Sequence, residues 1–211
     1  MRPHAPAPAR PRRLGVYGGS FDPPHLAHLA LACMARDALG LDELRLVPAG
    51  QPWQKAHRTL APGAHRAAML ARLIEGQPRL VVDPRELHRT GPSYTVDTLR
   101  ELAAECPGAQ LFLVLGADPF ARLDTWHQAD DLPGLATLAV AARAGQPPEP
   151  PAAWAGRSIA WQAIPLPRMD ISSSDVRARV AAGEPVSPLV GEAVAGYIDQ
   201  HQLYRADPGR P

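Results

Sequence analysis

The chain has 211 residues, 45% of them hydrophobic, with 22 Lys and Arg against 21 Asp and Glu and a formal net charge of +1. A chain of this length builds one core before splitting into domains. A charge balance this close to zero excludes a protein that coats polyanions through its overall field.

Residues 1–13 hold four prolines and four arginines without apolar periodicity, which predicts a disordered leader. A strand follows at Leu14–Tyr17, then a helix over 26–39, a strand over 43–49, a helix over 65–75 and a strand over 80–83. The rhythm continues with a helix over 95–105, a strand over 111–116, a helical stretch near 119–131, and strands over 135–142 and 158–164. Helices over 173–182 and 188–201 close the pattern, and the proline cluster at 146–151 and the tail at 206–211 read as exposed loop and flexible end. This alternation predicts an α/β fold: a Rossmann-like, doubly wound parallel sheet with flanking helices, one domain spanning 14–205. Ligands of such sheets bind beyond the carboxyl ends of the strands.

Cys33 and Cys106 show no C-x-x-C spacing, so reduced thiols and a cytoplasmic location are expected. No apolar run approaches the ~20 residues of a membrane helix, and no export signal is expected. A few leader arginines without aromatic platforms give no reason to expect nucleic acid. Monomer and small homo-oligomer both stay open.

The segment GVYGGSFDPPHLAHLALA carries the strongest signal. Gly18 and Gly19 let backbone approach a ligand closely, Asp22 is placed to cap the next helix, and Pro23 or Pro24 suits its first turn. His25 and His28 then stand three apart beside the exposed amides and positive dipole of the helix start, a setting for an anion. Imidazoles there donate to phosphoryl oxygens as charge develops. Alone, such a pair reads more readily as two half-buried histidines on an ordinary helix, and a zinc site lacks a third ligand at helpful spacing. Ser172, Ser173 and Ser174 ahead of Arg177 form a second possible anion cradle, or a plain N-cap. Tyr94 and Thr95 suit a helix start, Asp118 a cap, Trp126 a core position, and Lys55 a solvated loop.

The string GGSFDPPHLAH resembles the GGxFDPxHxGH signature of the HxGH nucleotidyltransferase superfamily, with Ala27 in place of the usual glycine. MDISSSDVRARV is similar to that superfamily's ISSTxIR motif, with Ser174 replacing threonine. RTGPSYTVDTL, LGADPF and LDTWHQ resemble segments of the bacterial nicotinate-nucleotide adenylyltransferases, and the likeness runs from residue 14 to Tyr204. QPWQK departs from that family's PPHK loop, and AARAG keeps one arginine of its RRPG turn.

The resemblance implies catalytic roles for His25, His28 and Arg177. It implies an ATP site of Gly18, Gly19, Ser20, Phe21, His25, His28, Gly116, Asp118, Ile171, Ser172, Ser173, Ser174 and Arg177. Lys55, Tyr94, Thr95, Trp126 and Arg143 would bind the pyridine mononucleotide, with the Trp126 indole stacked on its ring. The activity implied is AMP transfer from ATP to nicotinate mononucleotide, yielding nicotinate adenine dinucleotide and pyrophosphate for NAD biosynthesis. Mg²⁺ would be held mainly by ATP phosphates and water, with no protein metal site. Transfer to another acceptor, such as nicotinamide mononucleotide, and a non-catalytic ATP-sensing module are the competing expectations.

Overall fold

β1 (Arg13–Gly19) lies at the middle of a six-stranded, all-parallel sheet of order β3-β2-β1-β4-β5-β6. Its neighbours are β2 (Glu43–Pro48) and β4 (Gln110–Leu115), with Val16 opposite Arg45 on one side and Leu113 on the other. β3 (Leu80–Val82) forms one edge, and β5 (Thr137–Arg143) leads to β6 (Trp161–Leu166) at the other. The structure is a computed structural model that describes residues 10–51, 60–143 and 148–205, and for Arg143 the backbone only. Sheet order reverses between β1 and β4, the switch point beyond which doubly wound sheets bind ligands.

Both faces are covered, as side-chain alternation along β4 shows. Phe112 and Val114 join one buried cluster, with Leu31 and Ala32 of α1 (Leu26–Ala38), Met69 and Leu70 of α2 (Gly63–Leu73), and Val176 of α6 (Ser173–Ala181). Leu111, Leu113 and Leu115 join the other, with Val96, Leu99 and Leu102 of α3 (Thr95–Glu105) and Phe120 of α4 (Ala117–Ala121). The predicted doubly wound, single-domain α/β fold is the one observed. Among the described residues, no helix is long and apolar enough to cross a membrane.

Three local expectations change. The helical stretch near 119–131 is a string of short turns: α4, 3₁₀ turns at Leu123–Thr125 and Ala129–Asp131, and α5 (Leu132–Leu135). Its apolar residues Phe120, Leu123, Trp126, Ala129 and Leu132 recur every third position, the 3₁₀ period rather than 3.6. The helix expected over 188–201 breaks at Gly191, where φ is +81°, into α7 (Ser187–Val190) and α8 (Glu192–Gln200). At the other end, β1 starts at Arg13. Arg10 pairs with Asp42 and Arg12 with Glu43, so residues 10–13 lie against the start of β2, while 1–9 and the 206–211 tail fall outside the described residues.

Leu44, fully buried on β2, touches the cluster beneath α1 and α2. Leu44→Ala should cost about 2–5 kcal/mol of unfolding free energy, read from urea denaturation. A loss below ~1 kcal/mol would contradict the packing described.

Candidate active site

β1 and β4 run in register, so Gly18-Gly19 and Leu115-Gly116 leave the sheet at the same end. A Cβ on Gly19 would sit 3.0 Å from the Phe21 ring, so the tight turn needs a small residue there. Phe21 takes φ +47° and buries its ring, edge-on to Tyr17 at 5.5 Å and to His28 at 5.1 Å between centroids. An aromatic wall thus stands behind the imidazole.

The helix start differs from expectation in its cap. Asp22 does not cap α1, and neither Pro23 nor Pro24 enters its first turn; His25 is the N-cap residue and His28 the third helical residue. The backbone N–H of His25 donates to His28 Nδ1 at 3.1 Å. With Nδ1 accepting, a neutral His28 carries its proton on Nε2. The two rings stack at 3.6 Å and 26°. His25 is 6% exposed, its Nδ1 has no hydrogen-bond partner among the described residues, and burial pushes its pKa down to about 4. At neutral pH His25 is uncharged, and an arriving polyanion would favour its protonation.

The start of α6 docks on the turn that follows β1. Ser172 caps α6 by accepting the Asp175 N–H at 3.1 Å. Ser173 Oγ donates to the Pro23 carbonyl at 2.9 Å. Arg177 donates from Nη1 to the Asp22 carbonyl and from Nη2 to Ser174 Oγ at 2.9 Å. Ile171 is half-buried and Ser174 exposed at the same end of the sheet. Gly116 caps α4, whose first turn carries the exposed Asp118.

A separate group forms over the other face. Tyr94 is the N-cap of α3 and Thr95 its first residue, and the Tyr94 ring stacks on His127 at 4.1 Å and 27°. Trp126, next to His127, is half-buried against the same core cluster. The root of the β2 exit is pinned nearby: Ser93 N–H donates to the Gln51 carbonyl at 3.2 Å, and a Cβ on Gly50 would fall 2.0 Å from the Glu86 carbonyl oxygen. Only glycine fits there. Glu86 is itself buried, accepts from Thr98 Oγ1 at 2.6 Å, and has its pKa raised by that burial.

Lys55 lies outside the described residues, and Arg143 is placed only as the last residue of β5, opposite Leu166. His25, His28, Gly18–Phe21 and Ser172–Arg177 come together; Tyr94, Thr95 and Trp126 form the second group. Sequence reasoning missed His127, Arg66 and Tyr204. His127 could have been flagged as a histidine beside the singled-out indole. Arg66, 2% exposed, donates to the carbonyls of Ser20 at 2.8 Å and Ala61 at 2.9 Å, yet in sequence it looks like any helix-surface arginine.

A doubly wound sheet whose β1 exit turn is joined to the start of α6 by Ser173 and Arg177, with the Tyr94–His127 stack over the other face, has the architecture of nucleotide-handling proteins, and the comparisons with known proteins place it in the nucleotidyltransferase class. The cytidylyltransferase-like family model matches residues 16–179. A "probable nicotinate-nucleotide adenylyltransferase" of Methylibium petroleiphilum is 48% identical over 92% of each chain. One of Albidiferax ferrireducens is 46% identical over 92% of this chain and 98% of its own. The Plasmodium falciparum nicotinic acid mononucleotide adenylyltransferase, solved with NaAD, shares the fold with TM-score 0.76 and 19% identity, covering 92% of this chain and 97% of that one. The chain belongs to the cytidylyltransferase-like family and, within it, to the nicotinate-nucleotide adenylyltransferases.

The buried His25 gives the site a pH signature. Between about pH 4 and 6.5 the unfolded chain protonates this ring while the native chain does not, so stability rises with pH across that window. Stability should fall by up to about 3 kcal/mol from this group as pH drops from 6.5 towards 4. Urea denaturation of the parent and of His25→Gln should show the flatter slope for the variant. A His25 ring titrating near 6.5 by NMR would refute the burial argument.

Proposed function

We propose that the chain is a nicotinate-nucleotide adenylyltransferase, transferring AMP from ATP to nicotinate mononucleotide and releasing pyrophosphate. The observation that carries this is the direct joining of two phosphate cradles, Ser173 on Pro23 and Arg177 on Asp22, beside a separate aromatic group. An ATP sensor explains the first cradle, but not the second cradle and the Tyr94–His127 stack together.

In the reaction, an oxygen of the mononucleotide 5′-phosphate attacks the ATP α-phosphorus, and the bond from that phosphorus to the β-phosphate's bridging oxygen breaks. The nucleophile is already an anion, so neither a general base nor a covalent enzyme intermediate is required. The protein's work is to hold two polyanions in line and to spread charge over the phosphoryl oxygens. His28 serves this through the proton on Nε2, which its Nδ1 contact with the His25 N–H fixes in place. His25 stacks beneath it as a neutral ring whose protonation the triphosphate favours. Gly18–Phe21 supply close backbone approach, and Ile171–Ser174 with the start of α6 hold the outer phosphates.

Arg177, half-buried between the cradles, orients Ser174 and keeps positive charge beside both. Gly116 and Asp118, at the neighbouring strand exit, face the ATP ribose side. Mg²⁺ travels with the triphosphate, because it dehydrates reluctantly and prefers phosphate oxygens and water. Among the described residues, no group of three or more His, Cys, Asp or Glu side chains could hold a metal ion.

Tyr94, Thr95 and Trp126 receive the pyridine nucleotide: the indole offers a stacking face, and the amides at the start of α3 suit a carboxylate better than a carboxamide, whose NH₂ they would oppose. Lys55 and Arg143 complete that site in this reading. The enzyme works in the cytoplasm, with no nucleic acid or membrane partner, as monomer or small homo-oligomer.

Pyrophosphate release with ATP, Mg²⁺ and each mononucleotide decides among the readings: fastest release with the nicotinate form is expected, preference for the nicotinamide form would change the acceptor, and no release with either would favour the sensor. His28→Ala should lower kcat by ~10²–10³ without loss of folding. Near-normal turnover would sink its role. Trp126→Ala should raise KM for the mononucleotide with little change for ATP; equal changes would make the indole a packing residue.

A further inference from the structure

The Asp22 carboxylate is 2% exposed and used by no step above. It accepts the Tyr204 hydroxyl at 2.8 Å and the Ala61 N–H at 3.1 Å, and Arg177 Nη1 stands 3.8 Å from Oδ2. Its own carbonyl accepts from the same Arg177. Arg66 closes the ring from the opposite side by binding the carbonyls of Ala61 and Ser20. A carboxylate taken out of water needs donors on its oxygens. Here they come from Ala61 in the 60–62 connection and, 182 residues beyond Asp22, from Tyr204, with the α6 guanidinium standing by as an ion pair.

We propose that Tyr204 is a positioning residue of the triphosphate site, acting through Asp22 on Arg177 and Ser174. This rests on the adenylyltransferase reading and adds a residue that touches neither substrate. With the Tyr204 hydroxyl in place, Asp22 has a neutral donor, and Arg177 divides its guanidinium between the Asp22 carbonyl and Ser174 Oγ. The hydroxyl and the Ala61 N–H both serve Oδ1, so removing the hydroxyl leaves that oxygen with one donor and the buried carboxylate with less of its charge balanced. The guanidinium 3.8 Å from Oδ2 is then drawn towards the carboxylate, away from Ser174. The disturbance falls on the α6 cradle. Tyr94, Trp126 and His127 pack over the other face of the sheet and are not part of this ring of contacts.

Tyr204→Phe in the full chain removes only the hydroxyl. ATP affinity, measured by calorimetry without acceptor, should weaken about tenfold, the scale of one hydrogen bond to a charged group. KM for ATP should rise in parallel while KM for nicotinate mononucleotide stays within about twofold. Ser174→Ala combined with Tyr204→Phe should cost less than the sum of the two alone, since both act on one contact. ATP affinity unchanged in Tyr204→Phe alongside a lowered Tm would reduce Tyr204 to a packing role and overturn the proposal. Equal rises in both KM values, or additive losses in the double variant, would overturn it too. The calorimetric arm separates the two readings: a parent that binds ATP but releases no pyrophosphate refutes the transferase, and the Tyr204 effect on ATP binding is judged regardless.

Discussion

The contact between the strand-exit turn and the start of α6 is what the rest of the site depends on. β1 and β6 are not neighbours in the sheet; β4 and β5 lie between them. Nothing in the sheet's hydrogen bonding brings their exits together. Ser173 on the Pro23 carbonyl and Arg177 on the Asp22 carbonyl do so, and they bring two ordinary helix starts together. Each start alone offers a few unpaired amides and a partial positive charge of the helix dipole. Joined, they face one region at the carboxyl ends of the strands, and the proposed triphosphate site rests on that junction.

The near-zero net charge acquires a meaning from this arrangement. Whole-molecule steering supplies almost no attraction for two polyanionic substrates, so affinity must be local. Local charge is arranged sparingly: His25 is kept neutral by burial, His28 offers a proton on Nε2, and Arg177 is the guanidinium set between the cradles. Arg66 lies deeper, where burial lowers its pKa and its hydrogen bonds go to backbone carbonyls. It serves the shape of the turn more than the charge of the site.

What was legible in the sequence follows from the range of the forces involved. The strands and most helices were readable because burial against a two-faced sheet imposes a local period on the residues themselves, as in Leu111 to Leu115 alternating between two clusters. The 119–131 stretch misled for the same reason. A repeat of three and a repeat of 3.6 differ little over so few residues, and Gln128 at φ +49° leaves no mark in composition. The cap of α1 was misassigned because Asp22 is a good N-cap in isolation, whereas its carboxylate is engaged by Ala61 and Tyr204, far along the chain. Arg66 and Tyr204 were invisible on these grounds: no local pattern distinguishes them from exposed residues. His25 and His28 were found through the motif, but their division of labour, one buried and neutral and one with a fixed proton, needed the geometry.

The placement of carboxylates completes the physical picture. A reaction between two phosphates is hindered by any unshielded negative charge near the transferring group, since like charges at a few ångströms repel strongly in a site that excludes water. The motif nevertheless places an aspartate between Phe21 and the histidines. The structure resolves the conflict by turning that side chain inward: Asp22 is buried, supplied with donors and backed by Arg177, so what it presents outward is an organised turn. Asp118, by contrast, stays exposed in the first turn of α4 at the neighbouring strand exit. Two acids flank the same switch point with opposite exposure: Asp22 is built into the scaffold of the turn, and Asp118 is left open to solvent.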